Sequence, residues 1–417
     1  MNSTKLQIEK LYREEFGRLV ARLMRITGDL DLAEEAVQDA FTVAITHWEK
    51  DGFPDKPPAW LMTTARNKVF DRLQKRKTRR EVGVSTEIED DSMNAKRNDL
   101  HWDTSISDDR LRLIFMCCHP SLNRQAQISL ILKTIGGLTT EEIAHAFLLE
   151  VSTLAQRLVR AKQKIREANI PFRIPADSQL PDRIATVLAV VYLIFNEGYA
   201  ATSGDHHIRH ELCNEAIRLG RLLVKLMSDE PEVIGLLSLL ILQHSRSDAR
   251  LDEWGRIILL EDQNREKWKS DEIHDGQKLI ERALRMRRPG PYQIQASIAA
   301  VHADAHSPEE TDWLQILSLY DELLKFQPTP IVELNRAVAV YKIHGVEEAL
   351  NLLEEIREKG DLQKYLYFHS TFAEFYRETG RIAEAEKSLS TALSLVENDA
   401  EKRLLQKRLK NLLSEKK

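Results

Sequence analysis

The segment from Gly137 to Arg166, GLTTEEIAHAFLLEVSTLAQRLVRAKQKIR, most restricts what this chain can fold into. Thr139 and Glu142 have the spacing of a capping box, which predicts the start of a helix. A short apolar turn follows, and Ser152 is predicted to be the N-cap of a second helix. In that second helix the apolar residues recur at spacings of three and four, which predicts one buried stripe formed by Val151, Leu154, Leu158, Ala161 and Ile165.

The opposite face of the second helix is polar and basic. A helix of this kind after a tight turn is how a helix-turn-helix presents itself to the DNA major groove, where Arg and Gln can bond to base edges or phosphates. An ordinary solvated helix of an all-α protein is the alternative that this segment alone leaves open. The candidate DNA contacts on this helix are Ser152, Thr153, Gln156, Arg157, Arg160 and Lys164.

A second basic segment follows Pro58, which is placed for a first helical turn. Between residues 66 and 80 there are eight basic residues and one acid, Asp71, in a chain whose net charge is −5. Such a one-sided run is an electrostatic footprint for nucleic-acid phosphates, although a solubilising helix end has the same composition.

The helix predicted from Asp31 to Trp48 has an alanine-rich apolar stripe and an acidic outer face. This outer face is expected to be either simply solvated or a docking surface for a basic partner helix. Its predicted members are Glu34, Glu35, Gln38, Asp39 and Thr42.

Composition limits the fold class. With 417 residues the chain is long enough for two or three domains, and the scarcity of glycine (16) and proline (13) favours an all-α protein. Three cysteines form no disulfide framework, and no signal peptide or membrane-spanning run is apparent, so a cytoplasmic protein is expected. The adjacent Cys117 and Cys118 have the wrong spacing for a zinc site and are predicted to be buried thiols.

Changes in composition predict the domain boundaries. Residues 1–80 form a first helical domain, and residues 81–108 are polar and acidic with almost no apolar period, as in a flexible linker. A second helical domain is predicted at 109–170. After a proline-bearing hinge, residues 181–417 form a further helical region.

These segments, in this order, resemble the extracytoplasmic-function (ECF) subfamily of sigma-70 factors, the promoter-specificity subunits of bacterial RNA polymerase. DLAEEAVQDAF resembles region 2.2, PPAWLMTTARNKVFDRLQKR resembles regions 2.3 and 2.4, and LTTEEIAHAFLLEVSTLAQRLVRAKQKI resembles region 4.2. The conjunction of three motifs with suitable gaps is far more specific than any one of them.

The resemblance implies partners and roles. Region 2.2 would dock on the β′ clamp of core polymerase, through Glu35, Gln38 and Asp39 here. Regions 2.3 and 2.4 would open and read the −10 element of promoter DNA, and region 4.2 would read the −35 element and touch the β flap. Because single-strand binding needs basic and polar contacts, the candidates in the −10 module are Thr63, Arg66, Asn67, Arg72 and Arg76.

The last domain resembles the C-terminal extension of a sigma subgroup with tetratricopeptide-like helix pairs. Ala373, Gly380 and Ala385 follow the small-residue pattern of such repeats, and Gly345 begins a similar unit 35 residues earlier. Stacked helix pairs offer a groove, so a protein or peptide ligand is expected there, and the domain is expected to modulate sigma activity.

Two other functions stay open: a helix-turn-helix regulator with a ligand-sensing C-terminal domain, and an enzyme housed in residues 181–417. No catalytic residue, cofactor or metal site is predicted, because His206, His207 and His210 do not follow the order of a zinc hydrolase. Asp262, Asn264 and Arg265 are predicted either to line a groove or to cap a helix.

Overall fold

The computed structural model describes residues 3–81, 106–146, 149–176, 179–200, 208–360 and 362–415. Its regular elements are helices, apart from one isolated antiparallel bridge between Leu251 and Ile257, and this confirms the all-α prediction. The chain divides into two compact units, Met1–Val190 and Val191–Lys417. Within the described residues, no helix is both long and apolar enough to cross a membrane.

The first unit begins with three helices that pack on one another, α1, α2 and α3. Gly28, in the left-handed region at φ 64°, ends α1, and the Asp29 carboxylate accepts a 3.1 Å hydrogen bond from the Leu32 amide to cap α2. The helices are α1 (Ser3–Thr27), α2 (Leu30–Asp51) and α3 (Pro57–Glu81).

Four further helices complete the helix-turn-helix region and pack against α1 and against one another. The buried Arg110 donates a 3.2 Å hydrogen bond from Nη2 to the carbonyl oxygen of Glu14. A Cβ placed on Gly17 of α1 would lie 2.8 Å from the Ile135 carbonyl oxygen, so the two backbones nearly touch there. These helices are α4 (Ile106–Cys117), α5 (Arg124–Thr134), α6 (Thr140–Ala146) and α7 (Val151–Glu167).

Helix α7 confirms four members of the predicted stripe and corrects the fifth. Leu154, Leu158, Ala161 and Ile165 are buried, whereas Val151 is 42% exposed. Helical side chains lean back over the preceding turn, and Val151, as the first helical residue, has none to cover. The prediction that Ser152 caps this helix is also wrong, because the N-cap position belongs to Glu150, which makes no side-chain capping bond.

The adjacent cysteines are buried thiols, as predicted. Cys117 is the last residue of α4 and Cys118 follows it, and both are free. Burial raises the pKa of Cys118 to about 12. His206 and His207, and almost all of the predicted linker, lie outside the described residues.

Helix α8 (Leu180–Tyr199) contains the boundary between the two units. In the second unit, α10 is buried on nearly all sides and packs against its neighbours in sequence. Helices α13 to α18 then pack in succession, and the tetratricopeptide-like interpretation stays a prediction. The helices are α9 (His210–Leu226), α10 (Pro231–His244), α11 (Ser270–Arg285), α12 (Pro291–Asp304), α13 (Trp313–Phe326), α14 (Pro330–His344), α15 (Val346–Lys359), α16 (Leu366–Glu378), α17 (Ile382–Leu395) and α18 (Asp399–Glu415).

Candidate promoter and polymerase interfaces

The basic face of α7 forms one wall of a depression of about 320 Å³. The other wall is the turn before α5, at Ser121, Leu122 and Asn123. Arg157 Nη1 is buried with no hydrogen-bond partner in the described part of the chain. Ser152 is exposed in the first turn of the helix and does not line the depression. The predicted DNA contacts that the fold brings together here are Thr153, Gln156, Arg157, Arg160 and Lys164.

The predicted contacts on α3 are spread along the helix. Thr63 and Asn67 are exposed one turn apart, and the Thr63 hydroxyl is held by a 3.0 Å hydrogen bond to the Ala59 carbonyl. Arg66 is half-buried, and its Nε has no hydrogen-bond partner among the described residues. The side chain of Arg76 lies outside the described residues, although α3 continues through it.

Arg72 of α3 binds two carboxylates of α2, and we call Glu35, Asp39 and Arg72 the outer cluster. Arg72 Nη2 lies 2.7 Å from Asp39 Oδ2, and its Nη1 pairs with Glu35. Glu35 is exposed and Asp39 is half-buried, while Gln38 beside them is exposed. The outer cluster therefore joins a predicted DNA contact to two predicted polymerase contacts.

Glu34 contradicts the prediction that it lies on the outer face of α2. It is only 4% exposed and accepts a 2.6 Å hydrogen bond from the Thr134 hydroxyl at the end of α5. Lys162 of α7 pairs with the same carboxylate. Glu34 follows Leu30 by four residues and precedes Val37 by three, so its position on the apolar stripe was a signal that sequence reasoning missed.

A second carboxylate of α2 extends this contact toward solvent. Asp31 Oδ1 lies 3.3 Å from Lys162 Nζ, and Asp31 Oδ2 lies 3.0 Å from Arg166 Nη1. We call Glu34, Thr134 and Lys162, with Asp31 and Arg166 at the edge, the inner cluster. It fixes α7 and α5 to the helix that carries the predicted polymerase contacts.

The inner cluster keeps Lys162 charged. Burial by itself lowers the pKa of Lys162, but the charges and hydrogen bonds of Glu34 and Asp31 outweigh it, so this pKa lies above its usual 10.5. Helix α7 thus has two cationic faces with different roles in the fold: one is paired to α2, and the other lines the depression.

Comparison with known sequences assigns these modules. Residues 11–79 match the profile of Sigma-70 region 2, and residues 112–165 match that of Sigma-70 region 4. Residues 183–284 match a family of unknown function, DUF6596. The chain belongs to the ECF sigma-70 family.

Two of the proteins similar to this chain are named as ECF RNA polymerase sigma factors. A probable ECF RNA polymerase sigma factor, SigI, of Mycobacterium tuberculosis (strain CDC 1551 / Oshkosh) is 26% identical over 177 residues, 42% of this chain and 60% of that protein. The ECF RNA polymerase sigma factor SigL of strain ATCC 35801 / TMC 107 / Erdman is 38% identical over 74 residues, 18% of this chain and 42% of that protein.

The similarity of a third relative extends through the C-terminal unit. Uncharacterized protein R00370 of Rhizobium meliloti (strain 1021) is 42% identical over 396 residues, 94% of this chain and 93% of that protein. The similarity therefore covers the C-terminal unit as well as the segments that match Sigma-70 regions 2 and 4. ECF sigma factors bind core RNA polymerase and promoter DNA, and sigma-70 families are not enzyme families.

Proposed function

We propose that this sigma factor reads the −35 element with the basic face of α7. Thr153, Gln156 and Arg157 lie near the start of that helix, which is the part that enters the major groove in helix-turn-helix proteins. Their position around one polar depression supports the proposal, because base edges and phosphates need several donors converging on one surface. The β flap of polymerase would bind elsewhere on the same module.

We place the other two contacts, with the −10 element and with the β′ clamp, on α3 and α2. Thr63, Arg66, Asn67, Arg72 and Arg76 of α3 are proposed to hold the opened −10 element. Glu35, Gln38 and Asp39 of α2 are proposed to dock on the β′ clamp. The exposure of Glu35 and Gln38 supports docking, since both side chains can reach a partner without unfolding the helix.

The inner cluster must open before both promoter elements are bound. Elements named −10 and −35 are about 25 base pairs apart, which is roughly 85 Å of B-form DNA at 3.4 Å per pair. Direct pairing of Lys162 with Glu34 holds the two reading modules much closer than that. The 24 residues between Glu81 and Ile106 can span at most ~80–86 Å, which is about the separation required.

Run-off transcription with core polymerase and a promoter library tests the proposed function. We expect the full chain to direct initiation at a subset of promoters, with protection of both elements in footprints. Binding to isolated DNA sites without any effect on polymerase would instead assign a helix-turn-helix regulator.

A variant with fewer ion pairs in the inner cluster tests the opening step separately. Asp31→Ala removes the solvent-facing ion pairs while leaving Glu34 paired with Lys162. We expect transcription at limiting sigma factor to rise by up to about fivefold, since a partly exposed pair is worth about 1 kcal/mol or less. Glu49→Ala, an exposed residue of the same helix, is the control. Equal or lower activity of Asp31→Ala would contradict the opening step.

The C-terminal unit is proposed to modulate this activity, in a positive role. Its test is transcription by chains ending after Asn169 or after Tyr199, compared with the full chain. The longer version is needed because Arg183 of α8 donates a 3.0 Å hydrogen bond to the Phe115 carbonyl within the first unit. We expect both shortened chains to be less active. Equal activity of all three across promoters and conditions would remove the regulatory role.

A further inference from the structure

The second unit contains a cavity of about 290 Å³. It is bounded by α12, α13, α14, α16 and α18 and by the segments that precede α11 and α13. The volume is at the lower end of the range for small-molecule sites. Most of the wall is apolar or aromatic, formed by Leu259, Leu260, Pro308, Trp313, Val338 and Phe375.

The charged side chains on the wall form two ion pairs, and one further cation on the wall has no carboxylate partner among the described residues. Lys342 Nζ lies 3.2 Å from Glu261 Oε2, and Arg408 pairs with Glu374. The remaining cation is Arg265, which has no acidic partner in the described part of the chain. Since a charge beside apolar walls is costly unless paired, this excess favours a ligand with one negative charge.

Arg265 is held in one orientation. Its guanidinium carbon lies 4.0 Å from the centre of the Trp268 ring, and its Nη1 donates a 2.7 Å hydrogen bond to the His302 carbonyl. Its Nε is buried and, among the described residues, has no hydrogen-bond partner. The Nε–Nη2 edge of a guanidinium carries two parallel N–H groups, the geometry that matches a carboxylate.

His302 supplies a neutral polar group beside this arginine. Burial, with added repulsion from Arg246 and Arg265, lowers the pKa of His302 to about 4, so the imidazole is uncharged near neutral pH. Its Nδ1 is buried and likewise lacks a hydrogen-bond partner within the described ranges. The ring packs edge-on against Trp313, with centroids 5.4 Å apart. A neutral imidazole can donate one hydrogen bond without adding charge.

We propose that this cavity binds a small monocarboxylate with an apolar or aromatic body. The Nε–Nη2 edge of Arg265 holds the carboxylate, and Trp313, Val338 and Phe375 enclose the body. Arg265 is the one uncompensated cation among the described side chains that line the wall, and it matches a monoanion better than a phosphate monoester, which carries almost two charges at neutral pH. The volume restricts the ligand to a small molecule, and the site does not depend on the promoter contacts assigned above.

Isothermal titration of the full chain with 3-phenylpropanoate tests the ligand class. The comparison compounds are 3-phenylpropanamide, which has the same body without the charge, propanoate, which has the head group without the body, and phenyl phosphate. We expect 3-phenylpropanoate to bind about tenfold more tightly than the amide and than propanoate. Equal affinities, or no binding at millimolar concentration, would overturn the proposal. Tighter binding of phenyl phosphate would overturn the carboxylate assignment.

Variants of Arg265 test whether 3-phenylpropanoate binds in this cavity. Arg265→Gln is expected to weaken binding of 3-phenylpropanoate about tenfold, and Arg265→Lys several-fold, since lysine keeps the charge but loses the planar fork. Arg256→Gln is the matched control, because Arg256 lies outside the cavity on a turn where it pairs with Asp252 at 2.6 Å. Equal loss in Arg256→Gln would contradict the site.

A filled cavity gives an independent result if Arg265→Gln disturbs folding. Val338→Phe leaves the guanidinium unchanged and occupies the space proposed for the ligand body. We expect it to abolish binding while the far-ultraviolet circular dichroism of the chain stays the same. Unchanged affinity in Val338→Phe would place the ligand elsewhere and overturn the proposal.

Discussion

Glu34 and Glu35 are neighbours on α2, and the fold treats them in opposite ways. Glu34 is 4% exposed and joins α2 to α5 and α7 through the inner cluster. The side chain of Glu35 is 59% exposed and joins α2 to α3 through the outer cluster. The difference teaches that burial, and not the presence of an ion pair, decides how far the structure depends on a carboxylate.

The energies of the two clusters should differ accordingly. A surface pair contributes about 0–1 kcal/mol, because water screens it and two side chains lose freedom. Removing one partner of a buried pair costs about 3–5 kcal/mol, since the other charge is left without compensation. Replacing both partners by apolar groups can cost very little.

The largest expected effect is in the inner cluster. Glu34→Leu leaves Lys162 with only the half-buried Asp31 as its partner and should lower the free energy of unfolding of the first unit by about 3 kcal/mol, the low end of the range because Lys162 is 20% exposed and keeps Asp31. Glu34→Leu with Lys162→Met should recover most of that loss. Amide hydrogen exchange of α1, α2 and α5 in the full chain measures both. A double variant as unstable as the single one would show that the ion pair is not the cause.

A smaller effect is expected on the other face of α7. Arg157→Ala or Arg160→Ala should weaken binding to the −35 element by roughly 1–3 kcal/mol where a base is read, without a comparable loss of stability. Footprinting with polymerase present measures the change. Gln163→Ala, which alters an exposed residue of the same helix outside the depression, serves as control. Unchanged −35 footprints in both arginine variants would remove the assignment of this face.

The outer cluster should matter little for stability. Arg72→Gln is expected to lower the free energy of unfolding by less than about 1 kcal/mol, as for other exposed pairs. Asp39→Lys should be similarly mild for folding but should reduce co-purification with core polymerase. Normal co-purification of Asp39→Lys and Glu35→Lys would count against docking through α2.

The smallest effect concerns pH. The pKa of Lys162 is raised in the folded chain, so its stabilising contribution is fully present below the unfolded pKa and is lost as pH rises through the folded value. Between pH 6 and pH 9, roughly, this group should therefore cause no change in stability. Urea unfolding at increasing alkaline pH should show the difference between wild type and Lys162→Met shrinking only above Lys162's usual pKa of 10.5. A difference that shrinks already near neutrality would contradict the proposed pairing.

Local sequence patterns predicted the positions of helices better than they predicted contacts between side chains of different helices. Apolar spacing found α2 and four members of the α7 stripe, because both depend on residues within one helix. The role of Glu34 could not be found by the same reasoning, since Thr134 and Lys162 lie 100 and 128 residues away. An acidic residue on an apolar stripe is a signal of such a partner, but it does not name it.

In the second unit, local sequence patterns likewise could not predict which residues line the cavity. The sequence left open whether Asn264 and Arg265 cap a helix or line a groove, and the fold separates them. Asn264 accepts a 2.9 Å hydrogen bond from the Glu266 amide and so caps a short turn, while Arg265 lines the cavity. Local spacing suffices for the cap. The cavity depends on five helices drawn from more than a hundred residues of chain.

The packing of α1 against Ile135 depends on the absence of a side chain at Gly17. In the middle of α1 glycine costs about 1 kcal/mol of helix stability relative to alanine, and its contact with Ile135 is closer than any Cβ permits. Gly17→Ala would therefore stabilise the isolated helix and clash in the packed arrangement at the same time. Because α1 is a helix in both arrangements, only the clash would distinguish them, and this single small substitution would shift the population toward separated modules without changing any charge.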